Sequence, residues 1–234
     1  MHFLNGPLIA IAVLHYIALG ACSKLLSGGT IISFDPDSNQ LQVIRNGSIL
    51  ITDDRITSIF ETATPDGILS GTEVIDCTNK IITPGFIDTH RHGWQTVFKT
   101  LASNTTLAEY FLRYSANVAA PLFSPEDVYI SQLAGIYEAV AAGVTTILEH
   151  AHHTWTPQHA VAGLNASVDS GVRIFFAYAF QNSSAEFRVP QQIAQWRELA
   201  STISSNYTEL AVAYDDWTGN SAGSDTLAVI DLIQ

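Results

Sequence analysis

The sequence predicts an α/β protein in which a small β layer precedes a series of parallel βα units. Two observations carry this. From Lys24 to Thr83 the chain alternates short strand-type runs with turn residues, whereas from Pro84 onward strand-type runs alternate with stretches whose apolar residues recur at helical spacing. Regular alternation of that kind specifies parallel strands joined by right-handed crossovers. Composition agrees: of 234 residues, 47% are hydrophobic and only 14% charged, the make-up of a globular chain with room for one large or two small domains. The formal net charge is −12 and the ten Lys and Arg residues are scattered, which argues against nucleic acid as a partner because a phosphate backbone is held by clustered cations. The two cysteines, Cys22 and Cys77, make neither a disulfide framework nor a CxxC zinc pair.

The first 23 residues stand apart. Leu8 to Cys22 is an apolar run ending in small residues. As a helix it reaches about 22 Å, short of the ~30 Å hydrocarbon core of a bilayer, so a spanning helix is not expected. Its length suits the apolar region of a secretory signal, with Gly20-Ala21-Cys22-Ser23 supplying the small residues for cleavage. Five N-x-S/T sequons, at Asn46, Asn104, Asn165, Asn182 and Asn206, accord with a secreted glycoprotein. Leu-Gly-Ala-Cys also resembles a bacterial lipoprotein cleavage box, which makes a membrane anchor on Cys22 the alternative, and a cytoplasmic chain is the third reading.

Residues 24–83 are expected to form the small β domain. Thr30 to Phe34 leads into the turn Asp35-Pro36-Asp37-Ser38-Asn39. Leu41 to Arg45 and Ser48 to Thr52 flank Asn46-Gly47, a strong two-residue hairpin signal, and Arg55 to Phe60 and Glu73 to Asp76 continue the strand pattern. No titratable cluster falls here, so the layer reads as structural.

Residues 84–234 carry the βα units. Phe86 to His90 reads as a buried strand entered through Pro84-Gly85. Strand side chains alternate faces, so His90 and His92 project to one side, where two imidazoles can reach one metal ion at the ~2.0–2.1 Å of a zinc–nitrogen bond. An excursion over residues 93–123 follows, with a helical stretch around Leu107 to Val118; a connection of that length after such a strand usually covers a site. Ser124-Pro125-Glu126-Asp127 opens the next helix with an N-cap, a proline at the first helical position and acids in the first turn; Gly143 ends it. Val144 to Leu148 is the second strand and runs into Glu149-His150-Ala151-His152-His153. A helix from Pro157 to about Ser170, a strand over 172–178, a helix from Pro190 to about Ile203, a strand over 210–214 and a last helix from Asp225 complete four βα units.

At this point the residues resemble the amidohydrolase superfamily. Pro84 to His92, PGFIDTHRH, is similar to that family's PGxIDxHxH signature, and VIDCTNKIIT before it resembles the family's entry into the barrel, although Asn79 stands where a glycine is usual. HRHGWQTVFKT, TLAEYFLRY, SPEDVY and AAGVTTILEH resemble the cytosine deaminase/chlorohydrolase branch, and the likeness covers most of the chain from Lys24. It implies a TIM-type (β/α)8 barrel beside a small β-sandwich, and a hydrolase of carbon–nitrogen bonds other than peptide bonds acting on a small nitrogen heterocycle or amide-like substrate. It also implies a divalent metal, zinc first and iron second, with His90 and His92 as the first two ligands. Gln95 falls where some members place a glutamine near the substrate, and Trp94 is expected at the pocket mouth. His150, His152 and His153 follow the second strand and are substrate-contact candidates, with a merely solvated loop as the alternative. Glu149 receives no role, and no catalytic residue is assigned. The family takes further ligands after its fifth, sixth and eighth strands, whereas the last histidine here is His159. The expectation is therefore an N-terminal half barrel of a truncated enzyme; the alternative is a catalytically inactive secreted or membrane-associated fragment, self-associating through open barrel edges.

One rival enzyme class is raised by the sequence. Gly219-Asn220-Ser221-Ala222-Gly223 satisfies G-x-S-x-G, but a serine-hydrolase triad of that order needs a histidine after the serine and none follows Ser221. A Gly/Ser loop explains the match.

Overall fold

The computed structural model describes residues 23–35, 37–182, 184–217 and 223–234. The expected leader with Cys22 and the Gly219–Ala222 part of the serine-hydrolase motif lie outside them. The chain divides into two compact units between Pro84 and Gly85.

The first unit is one sheet. β1 (Ser23–Asp35), β2 (Gln40–Thr52) and β3 (Arg55–Phe60) pair antiparallel in sequence, while β4 (Glu73–Asp76) and β5 (Ile81–Ile82) run parallel to β1 along its first and second halves. Ile31, Ile44 and Ile49 form its core, with Leu26, Ile51 and Ile82 against them. The hairpin expected at Asn46-Gly47 is not there: both residues lie inside β2. β1 is long enough to template both flanking runs, pairing Ile31 to Phe34 with Leu41 to Ile44 and Ser23 to Ser27 with Ser48 to Thr52, so the chain cannot reverse between them. The left-handed conformation that marks a hairpin turn is used at Asn46 (φ 54°) for a bulge, where the register jumps from Gly29↔Gly47 to Ile31↔Ile44. A Cβ at Gly47 would stand 2.7 Å from the Ile44 side chain and 2.8 Å from the Phe60 carbonyl, so glycine is required there. The reversals occur instead after Asp35, whose carboxylate accepts from the Asp37 N–H and the Ser38 hydroxyl, and at Asp53, in the left-handed region at φ 55°.

The second unit begins with β6 (Phe86–Arg91), followed by a 3₁₀ turn (Gly93–Phe98), α1 (Leu107–Arg113) and α2 (Ala116–Ala119). The single helix expected near 107–118 is split because the Tyr114 carbonyl, which would continue the ladder, accepts from the Gln95 amide instead. α3 (Pro125–Ala141), β7 (Val144–Ala151), α4 (Pro157–Asp169), β8 (Arg173–Phe180), α5 (Val189–Thr202), β9 (Thr208–Tyr214) and α6 (Ser224–Ile233) complete the unit. Capping of α3 follows the sequence signal: the Ser124 hydroxyl accepts from the Asp127 N–H while the Asp127 carboxylate accepts from the Ser124 N–H; Thr156 caps α4. The strands form a parallel sheet in the order β6-β7-β8-β9.

Strand periodicity decides where the core sits. Ile147, Ala151, Ile174, Phe176, Tyr178 and Phe180 are buried against Ile136 of α3, Ala160 and Leu164 of α4, Val189 and Ile193 of α5 and Val229 of α6. Leu148 and Phe175, one residue out of step, are each 37% exposed, and Phe86 is 66% exposed. A second cluster of Trp94, Ala119, Val128 and Trp155 roots the 93–123 excursion.

Close approach of α4 to the loop after β7 demands a glycine. A methyl group on Gly163 would overlap the His153 imidazole, which is itself fully buried and has no room to withdraw. Gly163→Ala is therefore expected to destabilise the second unit by about 1–3 kcal/mol despite its better helix propensity. Thermal and urea unfolding of the variant measure this, and a neutral or stabilising effect would contradict the packing described.

Candidate active site

The site is built at the carboxyl ends of the parallel strands, the end at which α/β proteins gather their functional groups. β6 delivers His90 and His92 to one side, and their Nε2 atoms stand 3.1 Å apart. His92 Nδ1 lies 2.9 Å from the His150 carbonyl. A carbonyl only accepts, so Nδ1 carries the proton and Nε2 presents a lone pair toward His90. Two imidazole nitrogens that close need a cation or a shared proton between them. The pair thus fits two of the ligands of a zinc-type ion. Among the described residues no group of three or more His, Cys, Asp and Glu side chains is arranged to hold a metal. Burial, followed by the neighbouring His150 and His90, lowers the His92 pKa, which keeps the ring in its neutral, ligating form.

His150, the next-to-last residue of β7, has its ring 5.1 Å from those of both His90 and His92. Its Nε2 lies 2.9 Å from Asp215 Oδ2, just past the end of β9. His152 stacks 4.0 Å from His92, and its Nδ1 accepts the Trp94 indole N–H at 3.2 Å. Burial, reinforced by His92, pushes the His152 pKa down to about 2. His153 turns the other way: fully buried, beside the Phe176 ring, with neither ring nitrogen in hydrogen-bond geometry with a partner, it has its pKa pushed down by burial to about 3.

Of the other expected contacts, Trp94 and His153 are closed off from solvent. Trp94 is fully buried in the core of the excursion, not at a pocket mouth, because its indole packs edge-on against Phe123 and Trp155. Gln95 donates both amide hydrogens within the excursion, to the Tyr110 hydroxyl and the Tyr114 carbonyl, each at 3.0 Å. His153 is sealed from solvent in the same way. The structure thus gathers His90, His92, His150 and His152 and leaves Trp94, Gln95 and His153 in the surrounding frame.

Sequence reasoning missed Asp215 and left Glu149 without a role. Asp215 and Asp216 follow an apolar strand directly, which is the local signal that points to them. With Asn117, Gln181 and Asn182 they line a cavity of about 280 Å³ at the ends of β8 and β9. Glu149 is fully buried, and its two oxygens accept the Gly93 N–H at 2.8 and 3.0 Å. Burial raises its pKa to about 8; the Gly93 N–H, Gln132 and the Arg91 charge offset only part of that.

Known proteins resemble this chain in sequence and in fold. Residues 81–223 match the sequence profile of the amidohydrolase family. A 5'-deoxyadenosine deaminase of Methanosarcina acetivorans is 29% identical over 150 residues, which are 63% of this chain and 33% of that protein. A 5-methylthioadenosine/S-adenosylhomocysteine deaminase of Symbiobacterium thermophilum is 28% identical over 208 residues, 88% of this chain and 41% of that protein. The chain therefore spans well under half the length of these curated relatives. Among solved structures, guanine deaminase from C. acetobutylicum with bound guanine superposes with a TM-score of 0.71 at 18% identity, covering 90% of this chain and 50% of that one. The atrazine chlorohydrolase TrzN from Arthrobacter aurescens, complexed with zinc, gives 0.65 at 19% identity, covering 82% and 46%. At those identities the structural likeness concerns the fold.

The buried groups set a pH profile. Between about pH 4.5 and 8 the folded chain keeps a proton on Glu149 that the unfolded chain releases, so this contribution to stability falls as the pH rises through that window. His152 and His153 act in the opposite sense: below about pH 6.5 the unfolded chain takes up protons that the folded chain refuses, and stability falls as the pH drops. With a chelator present, the melting temperature is expected to peak near pH 6.5, and Glu149→Gln to flatten the alkaline limb while steepening the acid limb above about pH 4.5. An alkaline limb unchanged in that variant would remove Glu149 as its cause.

Proposed function

The chain belongs to the amidohydrolase family, and we propose that it acts as a metal-dependent hydrolase of non-peptide carbon–nitrogen bonds, a deaminase of small nitrogen heterocycles. The observation that carries this is the His90–His92 pair, two imidazole nitrogens 3.1 Å apart with the lone pair of one fixed by the His150 carbonyl. The deaminase relatives supply the reaction class. In this reading the parallel sheet of four strands is half of a TIM-type barrel, with β6 and β9 as the edges at which further strands or a second copy would pair.

His90 and His92 are proposed to hold the metal, zinc in the first instance. When bound, such an ion lowers the pKa of a water and supplies hydroxide at neutral pH. The remaining work belongs to the chain's own groups. The His150 carbonyl keeps the proton of His92 on Nδ1 and so keeps Nε2 free to ligate. His150, tied to Asp215, faces the pair and is the expected substrate contact best placed to hold a polar group of the substrate beside it. The cavity lined by Asn117, Asn182 and Asp216 is proposed to take the rest of a heterocycle, through hydrogen bonds to its N–H edges. The burial of Trp94 and His153 favours packing roles for both, and the bonding of Gln95 favours holding α1 in place. One observation favours a second, non-catalytic reading: two imidazoles are fewer than the three protein ligands a catalytic zinc takes.

Metal analysis of the purified chain tests the assignment. Weakly held, substoichiometric zinc is expected, and it should vanish in His90→Ala; metal content unchanged in that variant would refute the pair as ligands. Ammonia release from an aminopurine nucleoside, lost in His92→Ala, is the expected activity, and metal without any such release would favour the non-catalytic reading.

A further inference from the structure

The position of Glu149 is anomalous for its strand. On the helix-facing side of β7 it stands between Ile147 and Ala151, all three with no solvent exposure, and the other two belong to the apolar core. A carboxyl group placed there is costly unless it does something an apolar side chain cannot. What it does is accept one backbone N–H, that of Gly93, the residue after His92, with both oxygens.

The sheet gives that bond its meaning. Along β6 the ladder to β7 shifts once between Phe86 and Ile87, pairs Asp88 with Ile147, and then slips again, resuming at Arg91↔Glu149. Three steps on β6 oppose two on β7, so the strand bulges at Thr89 and His90, and neither His90 nor His92 has a partner in the ladder. The residues interleaved with the pair are instead tied from the helix side. Arg91, between the two histidines and the ladder partner of Glu149, donates from Nη2 to the Gly135 carbonyl of α3 at 2.7 Å and lies 3.5 Å from Asp88. Gly93 is held by Glu149, and its lack of a side chain permits this: a Cβ would come within 3.0 Å of Glu149 Oε2 and 2.7 Å of Gln132 Oε1.

We propose that Glu149 is a positioning residue for the His90–His92 pair, its carboxyl replacing the interrupted strand ladder so that both imidazoles converge. This rests on reading the pair as metal ligands, and the test separates failure of that reading from failure of this one. Two variants are compared with the wild-type chain. Glu149→Leu fills the same space without an acceptor and relieves the burial of a polar group; Glu149→Gln keeps an oxygen for the Gly93 N–H. Zinc affinity is measured by competition with a chromophoric chelator. Glu149→Leu is expected to weaken zinc by about 10–100-fold while melting no lower than wild type, and Glu149→Gln to restore the affinity. A structural role alone would leave the zinc affinity of Glu149→Leu unchanged, and that result overturns the proposal. If the wild-type chain binds no zinc, the metal reading fails, and the metal-free arm still decides the positioning role. There, Gly93 amide exchange and the imidazole nitrogen shifts of His90 and His92 should match wild type in Glu149→Gln and change in Glu149→Leu; shifts unaltered in Glu149→Leu overturn it.

Discussion

A single hydrogen bond, from His92 Nδ1 to the backbone carbonyl of His150, is the constraint around which the rest of the site is arranged. It joins the ends of β6 and β7, fixes the tautomer of one imidazole, and leaves a lone pair facing its neighbour. For that bond to form, two strands must run parallel and end at the same level. The helices that cover their other face make this possible by burying Ile147, Ile174 and Phe176 with Ile136, Ala160 and Leu164. Folding energy comes from one face of the sheet, and chemistry is mounted at its carboxyl ends. The carboxyl group of Glu149 crosses that division, sitting among core residues while serving the ends of the strands.

Much of the parallel unit was legible because it rests on local chemistry. The strand and helix runs after Pro84 have the expected order, and Ser124 caps the helix it precedes. The proximity of His90 and His92 was legible for the same reason, since a period of two is a property of the backbone. The errors share another cause. Asn46-Gly47 carries a hairpin signal, yet the partner strand β1 is long enough to span it, and tertiary pairing overrode the local preference. Trp94 follows the histidines closely, but its indole is captured by Phe123 and Trp155, which sequence distance conceals. Asp215 meets His150 across 65 positions, and Glu149 meets Gly93 across 56, so neither contact has a signature in the local pattern.

The electrostatics of the region follow from dryness more than from charge pairing. His152 and His153 are held neutral and Glu149 is held protonated chiefly because water is excluded around them. A chain of net charge −12 has many carboxylates, and most sit in solvent. The one that matters here is fully buried. Neutral imidazole is the form in which histidine ligates a metal, and burial also lowers the pKa of His92, one of the two proposed ligands.

The slip in pairing between Asp88 and Arg91 has a mechanical consequence. A pair of side chains mounted on a regular strand is as stiff as the sheet, whereas one mounted on a bulge and tethered at Arg91 and Gly93 has some compliance along the strand axis. Under the proposed reading, a centre built this way adapts to ions of somewhat different radius without disturbing the neighbouring strands. Discrimination among divalent ions then falls to the softness of the nitrogen donors, which suit zinc and iron and disfavour magnesium and calcium, and not to the diameter of a rigid cage.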